Sequence, residues 1–258
     1  MGTGIHATAV VAPGAQLGAE VEIGPYCVIG EHVQLGAGTK IHPHVVLAGH
    51  TQIGAGCEIY PFASIGQQTQ DLKFRGGAPG VVIGERTTLR EYVTVNAATN
   101  DGDMTRVGHG CHIMAYAHVA HDCVVGNEVI MANAATLAGH VILEDQVIIG
   151  GLCGVHQFVR IGRLAITGGC SKATQDIPPF MTADGNPLSV HGLNTIGMQR
   201  RGVSEPAAAA LKKAYRILYR ENLTAKLALA KIEADVDQLP EVAHLVAFVR
   251  ASERGITR

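Results

Sequence analysis

An aliphatic residue returns at every sixth position through most of this chain. Ile5, Val11, Leu17, Ile23, Ile29, Leu35, Ile41, Leu47, Ile53, Ile59 and Ile65 keep one phase. The same phase resumes at Ile83, Leu89 and Val95, and again from Val107 to Ile161. Glycine often follows, as at Gly18, Gly24, Gly54, Gly84 and Gly126. Four positions on stands a small or β-branched residue such as Ala15, Val21, Thr39, Ala63 or Ala117. A period of six matches neither the 3.6 of a helix nor the 2 of a simple strand, and it does match a hexapeptide β-solenoid. Each hexapeptide supplies one short strand and a tight turn, and three make one coil of a triangular prism. Coils stack at about 4.8 Å and satisfy one another's backbone hydrogen bonds, so the core accumulates by stacking.

Two gaps interrupt the beat, near 67–82 and 97–106, without changing its phase. They predict loops thrown out of the prism wall, and such excursions tend to carry function. The solenoid is expected to occupy 1–190 and to end at Gln175–Phe180, because Pro178 and Pro179 cannot continue a central ladder. A helical domain is expected over 191–258. Ser204-Glu-Pro206 reads as a helix start, and Ala207, Leu211, Ala214, Tyr215 and Leu218 follow at helical spacing. Further helices are expected around 224–237 and 240–253.

A net charge of −2 argues against a broad nucleic-acid footprint. The chain has no Trp, which suits a narrow prism. Glycine or charge breaks every apolar run before it could span a bilayer, and no signal peptide is evident, so a cytoplasmic location is expected. Cys27, Cys57, Cys111, Cys123 and Cys153 fall on the small inward position. They read as buried core thiols rather than as a disulfide framework or nucleophiles.

Histidines concentrate between His109 and His156. Residues 18 apart stack on successive coils, so His121 stands over Gly139, with His140 and His156 one residue to either side of that column. The three histidines are expected along one prism edge within about 10 Å, two coil spacings. Solvated turn histidines, a zinc site and a general base all fit that cluster, although ligand spacing typical of zinc is missing. For a base, His121 has Asp122 beside it, and Gly139 offers an unobstructed N–H for an oxyanion.

The stretches Ala117-His-Val-Ala-His-Asp-Cys-Val-Val-Gly126, Asn133-Ala-Ala-Thr-Leu-Ala-Gly-His140 and Gly154-Val-His-Gln-Phe158 resemble the UDP-N-acetylglucosamine O-acyltransferases of the hexapeptide-repeat superfamily. So do Asp71-Leu-Lys73, Thr167-Gly-Gly-Cys170, Asp176-Ile-Pro-Pro179 and Arg200-Arg-Gly202. The resemblance implies a left-handed parallel β-helix and a homotrimer with sites between adjacent prisms, and it implies neither cofactor nor metal. It also implies transfer of an (R)-3-hydroxyacyl group from acyl carrier protein to UDP-GlcNAc, the first step of lipid A biosynthesis. By the same match His121 is the general base, Asp122 its orienting carboxylate and Gly139 the oxyanion donor. Asp71 would bind the sugar and Lys73 would lie at the mouth of the site. His118, His140 and His156 would contact substrate, and Gln157, Asn194 and Arg200 the nucleotide. Gly169 would set acyl-chain length, an open groove there favouring a longer chain. A basic surface for the carrier protein is expected to include Arg200, Arg201, Lys212, Lys213, Arg216 and Arg220.

One departure bears on the acceptor. Many family members carry His-Arg-Gly-Thr after the Val-Thr-Val strand, where this chain has Asn96-Ala-Ala-Thr99. The 3-hydroxyl sugar and its 3-amino analogue both stand as acceptors. Another hexapeptide acyltransferase is the nearest competing function, and the two loops and helical tail argue against it. The outward Thr columns of an ice-binding solenoid are missing.

Overall fold

The computed structural model describes residues 4–258. Three parallel sheets form the walls of a prism. The first wall stacks Ile5, Ile23, Ile41, Ile59, Leu89 and Ile113. The second stacks Val11, Ile29, Leu47, Ile65, Val95, Val119, Leu137 and Val155. The third stacks Leu17, Leu35, Ile53, Ile83, Val107, Val125, Leu143 and Ile161. From Ile23 onward these aliphatic residues are buried, and so are the small residues beside them such as Val21, Ala63, Val93 and Ala117. Ile5, on the first coil of the described residues, is 47% exposed.

The excursions leave phase intact because they insert whole hexapeptides. Ile59 pairs with Leu89, and Val95 pairs with Val119. Beyond each gap the strand starts before the beat returns: Gly80–Ile83 and Met104–Val107 are four-residue strands paired along their length. Both loops leave the second wall and rejoin the third, so they project from the same corner on successive coils.

The expected end at Gln175–Phe180 is corrected. Ile177 still bridges to Ile161, and the strand Met181–Asp184 adds in parallel to Ile166–Thr167. Pro178 and Pro179 lie in the turn between them, where a missing N–H removes no ladder bond. The ladder stops only when Ser189–Leu193 folds back antiparallel, and residue 190 lies inside that strand. Phe180, fully buried, closes the core near this end.

Four helices follow. The short α1 (Thr195–Arg200) was not signalled by periodicity, whereas α2 (Glu205–Arg220), α3 (Ala225–Asp235) and α4 (Pro240–Arg250) stand where the sequence places them. Ser204 and Thr224 each accept a bond from an N–H of the first turn, which satisfies one otherwise orphan donor. Buried Asp176 ties the tail to the prism. It accepts from the Arg160 N–H (2.8 Å) and the Ser252 hydroxyl (2.7 Å). A second tie joins His244 to Glu144 at 2.7 Å. Among the described residues no helix is long and apolar enough to cross a membrane.

Candidate active site

Successive coils turn the corner between the second and third walls at 97–103, at His121-Asp122, at Gly139-His140 and at Gln157-Phe158. The first loop, 68–79, leaves from the same corner one coil earlier. The chemistry-bearing residues of distant sequence segments therefore meet along one edge. Asp122, His140 and Phe158 occupy the left-handed turn conformation at φ 60°, 61° and 64°. Non-glycine residues adopt it infrequently, and Asp tolerates it better than most.

At this edge Asp122 Oδ2 lies 2.7 Å from His121 Nδ1. With the side chains only 15% and 10% exposed, water does not compete strongly for the pair. Burial pushes the Asp122 carboxyl upward, but bonds from His121 and Thr99 outweigh it and hold the group below its ordinary value. Asp122 is thus an anion that accepts the Nδ1–H proton, which leaves His121 Nε2 as the basic nitrogen. That nitrogen faces Gly139: a Cβ at position 139 would lie 2.5 Å from Nε2 and 2.4 Å from Cε1. Only glycine admits the imidazole so close to the backbone. The Gly139 N–H makes no hydrogen bond among the described residues, while its carbonyl accepts from the Phe158 N–H.

The other candidates divide by place. His140 lies edge-on to His121 with centroids 5.2 Å apart, and its Nε2 is 3.6 Å from Asp122 Oδ2. His118 sits on the second wall with Nδ1 2.7 Å from the Thr94 hydroxyl. Burial first, and then the nearby His121, keep its pKa below the ordinary histidine value. His156 and Gln157 are exposed at the same edge, and Arg254 of the tail reaches to 3.4 Å from His156 Nδ1. Asp71 is half-buried and accepts from the Lys73 N–H at 2.9 Å, while Lys73 itself is exposed.

Three candidates do not join them within one chain. Gly169 turns the corner between the first and second walls, where a Cβ would meet only the Gly151 carbonyl at 3.3 Å. Asn194 is buried as the N-cap of α1, with its amide on the Leu164 carbonyl (2.9 Å) and its oxygen on the Gly197 N–H (3.0 Å). Arg200 ends that helix, exposed to solvent, and the neighbouring Arg201 pairs with Glu128.

Several site residues escaped sequence reasoning. Phe158 stacks on His140 at 4.6 Å. Thr99 lies 3.1 Å from His121 Nδ1 through its hydroxyl, and its N–H donates to Asp122 Oδ1 at 3.2 Å. Thr105 accepts from the Asp122 N–H at 2.8 Å. Thr99 and Thr105 lie in or beside the second loop and Phe158 ends the Gly154–Phe158 stretch, but no spacing assigned any of them a contact with the dyad. A hollow of about 440 Å³ opens beside the dyad, lined by Arg106, Asp122, His140 and the second loop. Donor atoms of His121, Asp122 and His140 lie within 4.8 Å of one another, close enough to share a divalent cation. Nδ1 of His121 and the carboxylate are already spent on each other, so the set reads first as an acid–base dyad.

The five inward cysteines are buried as expected. Burial pushes the Cys111 thiol up to about 11 and that of Cys123 up to about 12, so neither supplies a thiolate at neutral pH. Cys170, on the Gly169 corner, is exposed.

Comparisons with known proteins identify the family and the fold. Residues 176–257 match the family described as UDP N-acetylglucosamine O-acyltransferase, domain 2. Residues 32–67 and 104–139 match the bacterial transferase hexapeptide family. An acyl-[acyl-carrier-protein]--UDP-N-acetylglucosamine O-acyltransferase of Thiobacillus denitrificans is 52% identical over 98% of this chain and 99% of its own. A protein of the same name from Herminiimonas arsenicoxydans is 50% identical over 98% and 99%. The solved structure of LpxA from Acinetobacter baumannii superposes with a TM-score of 0.95 at 41% identity, covering 98% of this chain and 99% of that one. The chain belongs to the UDP-N-acetylglucosamine O-acyltransferase family.

Proposed function

We propose that this enzyme transfers an (R)-3-hydroxyacyl group from acyl carrier protein to the 3-hydroxyl of UDP-GlcNAc, the first step of lipid A biosynthesis. The observation that carries this reading is the orientation of His121, with Nδ1 tied to Asp122 at 2.7 Å and Nε2 facing the bare backbone of Gly139. His121 Nε2 takes the proton of the sugar hydroxyl as that oxygen attacks the thioester carbonyl. The Gly139 N–H donates to the tetrahedral oxyanion. The intermediate then expels the carrier thiolate, which recovers the proton from the imidazolium, and no acyl-enzyme forms. A placed base contributes about 10²–10⁴-fold and an oxyanion donor about 10²–10³-fold. Holding two large substrates together supplies much of the remainder.

In this reading Asp71 and Lys73 meet the sugar and the mouth of the site, and His118, His140, His156 and Gln157 line the acceptor. The positions of Gly169, Asn194 and Arg200 on other corners support a homotrimer in which a neighbouring prism completes each site. An exposed column on the Gly169 corner adds support. Tyr26, His44, Phe62, Tyr92 and Tyr116 stack at 4.7–5.1 Å along successive coils, an apolar ridge of the kind a partner covers. Exposed Arg200, Lys212, Arg216 and Arg220 suit an acidic carrier, and the reaction belongs in the cytoplasm, where that carrier is made.

A second acceptor is favoured by one observation. The segment Asn96-Ala-Ala-Thr99 at the second loop carries neither His nor Arg, and a neutral rim repels a protonated 3-amino group less than a cationic one would. The mass of the product formed from 3-hydroxyacyl carrier protein with UDP-GlcNAc and its 3-amino analogue in one tube decides between ester and amide. No acyl transfer to either sugar overturns the function.

A further inference from the structure

Two buried threonines connect the first loop to the catalytic dyad. Thr69 and Thr99 are 5% and 8% exposed, and their hydroxyl oxygens lie 3.2 Å apart. On the loop side, Thr69 Oγ1 accepts from the Asp71 N–H at 3.1 Å. The Asp71 side chain in turn accepts from the Lys73 N–H, so the acceptor-facing turn is built upon the Thr69 hydroxyl. On the dyad side, Thr99 Oγ1 lies 3.1 Å from His121 Nδ1, and the Thr99 N–H donates to Asp122 Oδ1.

Either threonine can donate to the other, and one arrangement of protons runs through the whole line. Thr69 Oγ1 already accepts from the Asp71 N–H, and its own proton goes to Thr99 Oγ1. Thr99 Oγ1 also accepts from the His121 Nδ1–H, which is shared with Asp122 Oδ2 at 2.7 Å. The Thr99 proton is then left for the neighbouring carboxylate. With Nδ1 protonated toward Asp122 and Nε2 bare, every polar atom in the line finds a partner, and buried hydroxyl lines of this sort are strengthened by mutual polarisation.

We infer that Thr69 and Thr99 form a buried hydroxyl relay through which the Asp71 loop fixes the tautomer and position of His121. Seating of the acceptor on Asp71 is thereby coupled to readiness of the base. Both threonines are positioning residues: neither reaches the reacting atoms. The inference rests on the reading of His121 as the base and of Asp71 as an acceptor contact. A purely structural role for the two hydroxyls, anchoring the loop, makes a different prediction: weaker acceptor binding or lower melting temperature with an unchanged saturated rate.

The test compares Thr69→Val, Thr99→Val, the double variant and the two serine variants in the full-length enzyme, at saturating donor and varied acceptor. Folding is verified by melting temperature and assembly state. The relay predicts that each valine lowers kcat by about tenfold, the rate equivalent of one lost hydrogen bond. KM for UDP-GlcNAc should change less than kcat, and serine should restore the rate. The double variant should cost no more than the worse single change, because one line is cut twice. In a Thr69→Val background Asp71→Asn should still raise KM but should no longer lower kcat. If a valine variant does not fold, alanine at that position is read by the same split. Valine variants with kcat within twofold of the unsubstituted enzyme, or two fully additive losses, overturn the relay alone. Absence of acyl transfer by the unsubstituted enzyme overturns the function and the relay with it.

Discussion

At the scale of single residues, the proposed chemistry turns on which nitrogen of His121 holds the proton. Asp122 lies one residue away in sequence, yet adjacency alone does not bring the two side chains together. The left-handed turn at Asp122, the Thr105 hydroxyl on its N–H and the Thr99 N–H on its carboxylate aim it at Nδ1. Asp122→Asn would offer an amide N–H to Nδ1 and so favour the opposite tautomer. Turnover is expected to fall about 10³-fold or more with the fold intact, as read from steady-state kinetics alongside circular dichroism. Gly139→Ala tests the other side of the ring. Its Cβ would intrude to 2.5 Å from Nε2, so the imidazole must move, and kcat is expected to drop by at least about 10²-fold, the lower end of what a placed base contributes. A Gly139→Ala enzyme of normal rate would contradict the seating of the His121 base against this backbone.

At the scale of elements, the hexapeptide beat made the prism legible because each aliphatic residue has one inward position and a partner one coil on, 18 residues away except where an excursion adds whole hexapeptides. His121, Gly139 and His140 were legible for the same reason: stacking converts spacing into proximity. What the beat does not report is anything off the prism. Thr69 and Thr99 lie in the two excursions, where no period applies, and their contacts with the dyad depend on how the loops fold back. The continuation past Pro178-Pro179 was hidden because a proline in a turn looks, in sequence, like a proline in a strand. The α1 helix is too short to show periodicity, and its Asn194 cap could not be told from a ligand contact by sequence.

The tie between tail and prism carries a pH signature. Burial raises the Glu144 carboxyl, but the His244 contact and the Arg163 N–H hold it below its ordinary value. Groups depressed in the folded state stabilise it above their unfolded values, and that contribution fades as pH falls through the folded ones. His118 follows the same sign, since burial disfavours its charged form. Thermal stability is therefore expected to decline as pH drops below about 6.5, the ordinary histidine value. A steeper loss should follow below about 4.5 as Glu144 and Asp122 protonate. A melting temperature that stays flat from neutral pH to about 4 would contradict these assignments.

At the scale of the whole molecule, the proposed roles require more than one chain. The dyad stands at one corner, Gly169 at another and Asn194 with Arg200 at a third, so under the proposed assignment a single prism cannot place base, acyl groove and nucleotide contacts on one substrate. A trimer is expected by light scattering at working concentration, and the Tyr26–Tyr116 column should lose solvent access on assembly. Gly169→Met would fill the open space over that corner. Preference among donors is expected to shift toward shorter 3-hydroxyacyl chains, with the rate on the shortest donor retained. Unchanged chain-length preference would move the acyl groove away from Gly169.

The proposed role of His121 as the base that removes the acceptor proton is tested by the single-turnover rate of acyl transfer to UDP-GlcNAc by His121→Ala, measured on protein shown to be folded and assembled. A loss of about 10²–10⁴-fold is expected, with acceptor affinity little changed. A folded His121→Ala enzyme that transfers the acyl group at the unsubstituted rate would contradict that role.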